Sequence, residues 1–459
     1  MTADLASRPE QTSPPPPHRT GRWIEHWDPE DQEFWESGGK RVARRNLAWS
    51  IAAEHVGFSV WMLWSVSAVY LAQAGFDFTV DQLFWLAAVP SLVGATMRFP
   101  YTFAVARFGG RNWTVASALL LLVPTTLLVV CVSNPETPYW MFVVAAVTAG
   151  LGGGNFASSM ANISYFYPDA KKGWALGLNA AGGNIGVSTV QLITPLVVGV
   201  SVVGAASAVN LENVALVWAP LAVVAALGAW LFMDNLSSAR SPMRAQLQVA
   251  KDRQTWVMAL LYVGTFGSFI GYGAAMPLLM ATQFPEVSGR YAFLGALVGS
   301  LVRPVGGLLA DRWGGARITL ATFVAMGVGV LGVVWSVGQH AFGPFLAAFM
   351  LLFTLAGIGN GSTYRMIPAI FRARAGDTAV ALTRARSAAA LGVISAIGAY
   401  GGFLIPRSFG ISIANTGGIE AALYGFVAFY LVCAGLTWWC YLRSRVLVAR
   451  VPSLAHAGV

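Results

Sequence analysis

"RFPYTFAVARFGGRN" (residues 98–112) recurs at residues 303–317 as "RPVGGLLADRWGGAR", and this repeat reveals the architecture. Arg98 falls on Arg303, Arg107 on Arg312, Gly109 on Gly314 and Gly110 on Gly315, at a constant offset of 205 residues. A second pair supports the first. "AGLGGGNF" (149–156) and "AGIGNGST" (356–363) align their glycines at an offset of 207. Two matches at nearly one offset imply that a large unit is duplicated. Chance likeness between glycine-rich segments is the alternative, and the paired arginines weigh against it.

Each copy lies in apolar sequence. Of 459 residues, 56% are hydrophobic and only 11% are charged, and the mean hydropathy is +0.61. A soluble domain carries about a quarter charged residues, so the composition is that of a polytopic membrane protein. A helix needs about 20 apolar residues to cross a bilayer. Twelve segments qualify: 46–73, 81–106, 113–133, 138–166, 173–200, 211–234, 253–281, 288–310, 317–337, 341–371, 383–407 and 418–443. Several contain Gly or Pro, which membrane helices tolerate. The fold expected is an all-α membrane protein of twelve transmembrane helices in two six-helix halves related by a pseudo-two-fold axis. Parallel repeats with a substrate site near the midplane, between the halves, are a transporter architecture. The chain divides into an N-terminal tail (1–45), a six-helix bundle (46–234), a linker (235–252), a second bundle (253–443) and a C-terminal tail (444–459).

The net charge of +9 does not point to nucleic acid, because the basic residues sit in short loops between apolar runs. Arg41, Arg44 and Arg45 flank the first span. Arg107 and Arg111, Lys171 and Lys172, Arg240, Arg244, Lys251 and Arg253, Arg312 and Arg317, and Arg372 and Arg374 occupy alternate loops, and Arg443, Arg445 and Arg450 follow the last span. The intervening loops hold Asp77, Asp81, Glu136, Glu212 and Glu286. The positive-inside rule then places both termini in the cytoplasm, in agreement with an even number of spans. The first 45 residues hold no apolar h-region of a signal peptide. After the Pro14–Pro17 run, residues 21–46 are rich in Trp and acid and read as a short interfacial helix. Cys131, Cys433 and Cys440 lie in or beside apolar runs without metal or disulfide spacing, so they read as packed thiols.

Arg98 lies nine residues before Arg107, which marks the end of its span. That is roughly 13 Å of depth at 1.5 Å per residue, and half the hydrocarbon core is about 15 Å. Arg98 is therefore near the midplane, and Arg303 stands at the same depth before Arg312. A guanidinium there costs several kcal/mol. Two of them facing one cavity repel unless something negative lies between them. The spans supply little negative charge: Asp234 and Asp311 sit at helix ends, and Glu54 is the one deep carboxylate. An anion is the missing partner, and a planar fork of donors suits a planar oxyanion. The alternative is that each arginine snorkels or bonds helix carbonyls. In "NFASSMANIS" (155–164) most polar residues read as packing groups between small residues, with Asn155 and Phe156 as the cavity candidates. "GLNAAGGNIGVSTVQ" (177–191) has the same character, with Asn179 and Asn184. Arg365 lies close enough to its flank to snorkel.

The glycine-rich pair of stretches resembles the two nitrate-signature motifs of the nitrate/nitrite porter family (NarK type) of the major facilitator superfamily. "GGLLADRWGGAR" (306–317) is similar to the superfamily's loop motif G-x-L-x-D-R-x-G-x-R with one residue shifted, and the first-half copy lacks the Asp. "WDPEDQEFW" (27–35), "NFASSMANISYFYP" (155–168), "YVGTFGSFIGY" (262–272) and "VISAIGAYGGFLIP" (393–406) extend the resemblance over nearly the whole chain. The resemblance implies twelve helices and rocker-switch alternating access. It implies substrate arginines at Arg98 and Arg303 and aromatic walls at Phe156 and Phe266. It also implies a hydrogen-bonding tyrosine at Tyr262, an asparagine near the site at Asn184 and a first-helix aromatic at Phe58.

One feature divides the family. The first span reads "SIAAEHVGFSVWMLWSV" (50–66). Exchanging porters lack ionisable residues there, and sequences with Glu-His resemble the proton–nitrate symporter branch. Glu54 or His55 could carry a proton, or Glu54 could merely neutralise a buried arginine. The two point about 100° apart on a helix, so one at most faces the cavity. The function expected is secondary transport of nitrate and nitrite in a prokaryotic inner membrane by a protein acting as a monomer in the lipid bilayer, without a cofactor or metal and without enzymatic activity. Proton symport leads and nitrate/nitrite exchange is the runner-up. A carrier of another small anion, or a membrane nitrate sensor that does not transport, stands behind both.

Overall fold

The computed structural model describes residues 18–19, 22–200, 209–239, 248–287, 289–373, 380–443 and 454. The Pro14–Pro17 run, Arg240, Arg244, Arg374, Arg445 and Arg450 lie outside the described residues. Among the described residues, twelve helical spans follow one another. They are α1 (Lys40–Trp61, resumed as Leu63–Ser67), α2 (Val80–Phe108), α3 (Gly110–Val132), α4 (Tyr139–Phe166), α5 (Asp169–Val197) and α6 (Glu212–Phe232) in the first half. The second half has α7 (Arg253–Gln283), α8 (Phe293–Trp313), α9 (Gly315–Gly338), α10 (Phe342–Ala373), α11 (Val380–Gly398, resumed as Gly401–Thr416) and α12 (Glu420–Leu442).

Among the described residues, ten of these are long and apolar enough to cross a membrane by composition alone. The other two, α1 and α5, are more polar because they turn polar side chains inward. Asn46, Ser50, Glu54 and Ser59 of α1 are buried, as are Asn179, Asn184, Ser188 and Gln191 of α5. A helix that buries its polar stripe in protein can still present an apolar face to lipid.

The repeat read in the sequence has a backbone counterpart. α2 ends at Gly109 with φ +85°, and α8 ends at Gly314 with φ +90°. Both glycines occupy a region that L-residues avoid, and both stop a helix so that the next can start at once. The second motif pair acts through close approach. A Cβ on Gly150 would come within 2.4 Å of Val93 on α2, and one on Gly357 within 2.4 Å of the Gly299 carbonyl on α8. The small residues of α4 and α10 thus let each seat tightly against its neighbour.

The N-terminal segment docks on protein rather than lying free at an interface. A helical turn at Gln32–Phe34, capped by the Asp31 carboxylate, runs through a π-turn at Trp35–Gly39 into α1. Trp27 packs edge-on against Phe34 and Phe166, and Trp35 against Tyr167. Strand β1 (His18–Arg19) pairs antiparallel with β2 (Trp23–Ile24), which pairs parallel with β3 (Asn235–Leu236) at the start of the linker. Beside this sheet Asp234 is fully buried and accepts from Arg22 Nε (3.1 Å), Arg45 Nη2 (2.6 Å) and Asn46 Nδ2 (3.0 Å). The three cysteines are free thiols.

The halves meet through α2 with α11, α5 with α8, and the end of α1 with α7. Their side-chain bonds run from the centre to the end away from the termini. Arg407 Nη1 donates to Asp81 Oδ1 (2.8 Å), the Thr96 and Tyr400 hydroxyls are 3.0 Å apart, and Gln191 Nε2 donates to the Gly273 carbonyl (2.6 Å). These bonds tie the two halves together at that end.

Candidate anion site

Arg98 and Arg303 both lie inside the protein at the junction of the halves, with 0% and 7% of their surface exposed. Arg98 reaches from α2 across that junction. Its Nε donates to the Gly153 carbonyl of α4 (3.2 Å) and its Nη1 to the Ser395 carbonyl of α11 (2.9 Å). Its guanidinium lies 4.6 Å from the Phe156 ring, 5.2 Å from Phe266 and 5.6 Å from Trp61. Arg303 Nη2 donates to the Tyr262 hydroxyl (3.4 Å), and its guanidinium sits 5.3 Å from the Tyr364 ring. Helix carbonyls and ring faces therefore take up part of the charge of Arg98. They do not complete it. Arg98 Nη2 and Arg303 Nη1 are buried and have no partner among the described residues, and a buried donor left unpaired costs about 1–3 kcal/mol, more when charged.

The aromatic residues close around these donors. Phe156 of α4 and Phe266 of α7 come from opposite halves and stack at 6.2 Å and 26°. Tyr262 stacks on Phe266 at 5.3 Å, and Phe58 of α1 backs Phe156 at 6.0 Å. Phe266 lies in a π-turn, Val263–Gly267, inside α7. A π-turn adds a residue to the helix and turns its side chains to a new angle, and such turns recur at functional sites. Asn184 is buried with neither side-chain polar atom paired. Residue identity alone does not single out Trp61 in the first span or Tyr364 in α10, and a carbonyl contact such as that of Ser395 leaves no trace in residue identity.

Asn155 belongs elsewhere. Its Oδ1 accepts from Ser117 of α3 (2.9 Å) and from Ser158 (3.0 Å), so it joins α4 to an outer helix instead of facing the arginines. Arg365 does not snorkel alone, because it pairs with Asp311 of the D-R-x-G motif.

Glu54 and His55 part company, as their spacing requires. Glu54 is fully buried; its Oε2 accepts from Ser159 Oγ of α4 and from Asn179 Nδ2 of α5 (2.8 Å). It makes no ion pair with either arginine within 4.0 Å, although both lie within electrostatic range. His55 turns outward. Its Nδ1 lies 3.0 Å from the Gly182 carbonyl, and its ring lines an apolar groove of about 490 Å³ with Trp49, Ile185 and Trp218.

A model of the Major Facilitator Superfamily matches residues 55–385. The chain is 45% identical to the nitrate/nitrite transporter NarU of Escherichia coli (strain K12), over 92% of this chain and 96% of that one. It is 35% identical to the probable nitrate/nitrite antiporter NarK2 of Thermus thermophilus, over 92% and 97%. In fold it is similar to a bacterial homologue of the human lysosomal transporter Spinster, crystallised inward-facing and occupied, with a TM-score of 0.64 and 14% identity over 85% of this chain and 96% of that chain. These relatives are transporters, not enzymes. With its repeated halves, its twelve helices and its central arginines, the chain belongs to the nitrate/nitrite porter family of the major facilitator superfamily.

Proposed function

We propose that this protein carries nitrate, and nitrite, across a prokaryotic inner membrane by alternating access, with both termini in the cytoplasm. The observation that carries the reading is the pair of unpaired guanidinium donors, Arg98 Nη2 and Arg303 Nη1, buried on opposite halves. A small planar oxyanion satisfies both and screens their repulsion. Phe156 and Phe266 form apolar walls from the two halves, Phe58 backs the first, Tyr262 orients Arg303, and Asn184 offers an amide. Binding then favours closure, because the bundles 46–234 and 253–443, joined by the linker 235–252, each contribute one positive charge to a shared anion. The names of the relatives, nitrate/nitrite transporters among them, support the same cargo.

Proton symport is the energetic reading. Glu54 is a buried carboxylate with one oxygen, Oε1, unpaired, placed within electrostatic range of both arginines. Exchange of nitrate for nitrite is the second reading, favoured by the antiporter name of the relative from Thermus thermophilus. Reconstitution in liposomes separates them. Uptake of nitrate driven by an inward-acid pH gradient alone supports symport. Uptake that requires internal nitrite refutes symport and establishes exchange. Absence of nitrate transport under both conditions refutes the cargo.

A further inference from the structure

Glu54 is held in a way that the anion alone does not explain. Its Oε2 takes two donors, Ser159 Oγ from α4 and Asn179 Nδ2 from α5, and the Asn179 amide also lies 2.5 Å from Ser159 Oγ. Ser50 Oγ, one turn back on α1, donates to Ser159 Oγ at 3.2 Å. Three helices therefore meet at one carboxylate oxygen. The other oxygen, Oε1, faces Gly183 so closely that a Cβ there would come within 2.7 Å of it. The seam fixes one oxygen by hydrogen bonds and leaves the second free to take a proton.

The same helix serves the anion site. Ser159 lies three residues after Phe156, whose ring lies under the Arg98 guanidinium, and six after Gly153, whose carbonyl accepts from Arg98. Less than two turns of α4 thus touch both Glu54 and Arg98. The charged and titratable groups that face Glu54 are Arg98 on α2 and Arg303 on α8, with Tyr364 on α10; Tyr262 on α7 lies beside both arginines. The α4 and α5 side chains bonded to it, Ser159 and Asn179, are neutral. His55 faces the outer groove and adds no second proton site at the centre.

We propose that Ser159 and Asn179 are positioning residues that make Glu54 the single proton site and bind it through α4 to the anion site, so that one proton moves with one anion. This rests on the symport reading above. The charge balance follows from the residues. With Glu54 ionised, the two arginines leave the empty centre with one net positive charge. An anion alone neutralises it, and a proton alone raises it to two. Proton and anion together restore the original value. The empty and the doubly loaded carrier therefore present the same charge to the low-dielectric interior, and the two half-loaded forms do not. The proton adds to Glu54 Oε1 from the side on which the anion enters and leaves to the other side with it, and no other bond changes. The hydrogen bonds at Oε2 are strong while the carboxylate is ionised and weaken when it is protonated, which loosens α4 against α1 and α5 as the anion binds.

The test uses the full chain in proteoliposomes with nitrate as the probe. A pH gradient of about one unit should sustain about a tenfold nitrate gradient, and a membrane potential imposed by potassium and valinomycin should change it little, because the pair of ions is electroneutral. A gradient near one hundredfold, or uptake driven by the potential, overturns the single-proton proposal. Ser159→Ala and Asn179→Ala should each move the external pH of half-maximal uptake upward by about one unit, the loss expected for one hydrogen bond to a charged group. Ser159→Thr, which keeps the hydroxyl, should restore the parent profile. A parent profile in both alanine variants overturns the positioning role. Glu54→Gln distinguishes the two levels. If it retains pH-driven uptake, the symport reading itself fails. If it loses that uptake while the alanine variants match the parent, only the positioning proposal fails.

Discussion

Replacing Arg98 by Lys keeps the charge and removes the geometry, so it tests whether a charged fork, and not a charge alone, holds the anion. The guanidinium makes two bonds at once: Nε with the Gly153 carbonyl in its own half and Nη1 with the Ser395 carbonyl in the other. It also lies 4.6 Å from Phe156 and 5.2 Å from Phe266, and still holds Nη2 free. A single ammonium nitrogen on a shorter stem cannot reach both carbonyls and present a planar donor pair to the cavity. The bond that Nη2 offers the anion is worth about 1.5–3 kcal/mol because the partners are charged. Part of this is recovered by the ammonium, which leaves about 1.4 kcal/mol, or roughly tenfold in nitrate affinity. Calorimetric titration of the purified protein with nitrate measures the affinity directly. Nitrate-dependent thermal stabilisation in detergent gives a second readout, since a ligand that binds only the folded state raises its stability by an amount set by its affinity. The parent should gain stability with nitrate and Arg98→Lys should gain less over the same range. A lysine variant that binds nitrate within about threefold of the parent refutes the fork.

Three further outcomes are expected. His55→Gln should leave the pH profile of uptake where the parent has it, because His55 lines the outer groove and not the arginine pair; a shift of a unit or more in proteoliposome uptake would show otherwise. Asp81→Asn removes the ion pair with Arg407 that ties the two halves at that end. With both partners partly solvated this is worth about 1 kcal/mol, so labelling of a cysteine placed near that end should rise about fivefold, and unchanged labelling would deny the contact a gating role. Asp234→Ala strips a fully buried carboxylate from the half-buried Arg22 and Arg45 and from the buried Asn46. The loss should be about 2–3 kcal/mol, below the fully buried case because the arginines keep some solvent, read as a lower melting temperature in detergent, and a variant that melts with the parent contradicts it.

The architecture was legible in the amino-acid sequence. Apolar runs long enough to cross a bilayer, basic residues in alternate loops and the duplicated glycine motifs are local properties of the chain, which residue order alone displays. The depth of Arg98 and Arg303 was legible for the same reason, since rise per residue on a helix is fixed. So was the divergence of Glu54 from His55, which follows from the 100° turn between neighbours. What lies opposite each side chain was not legible. Asn155 and Ser159 stand four residues apart on α4 with similar polarity, yet one bonds Ser117 on an outer helix and the other bonds Glu54. Only the rotation of α4 against α1, α3 and α5 separates them, and that rotation is set by small residues packing across several helices at once. The same holds for the Ser395 carbonyl that receives Arg98 from the other half, because every residue has such a carbonyl and only the tertiary structure brings this one into reach.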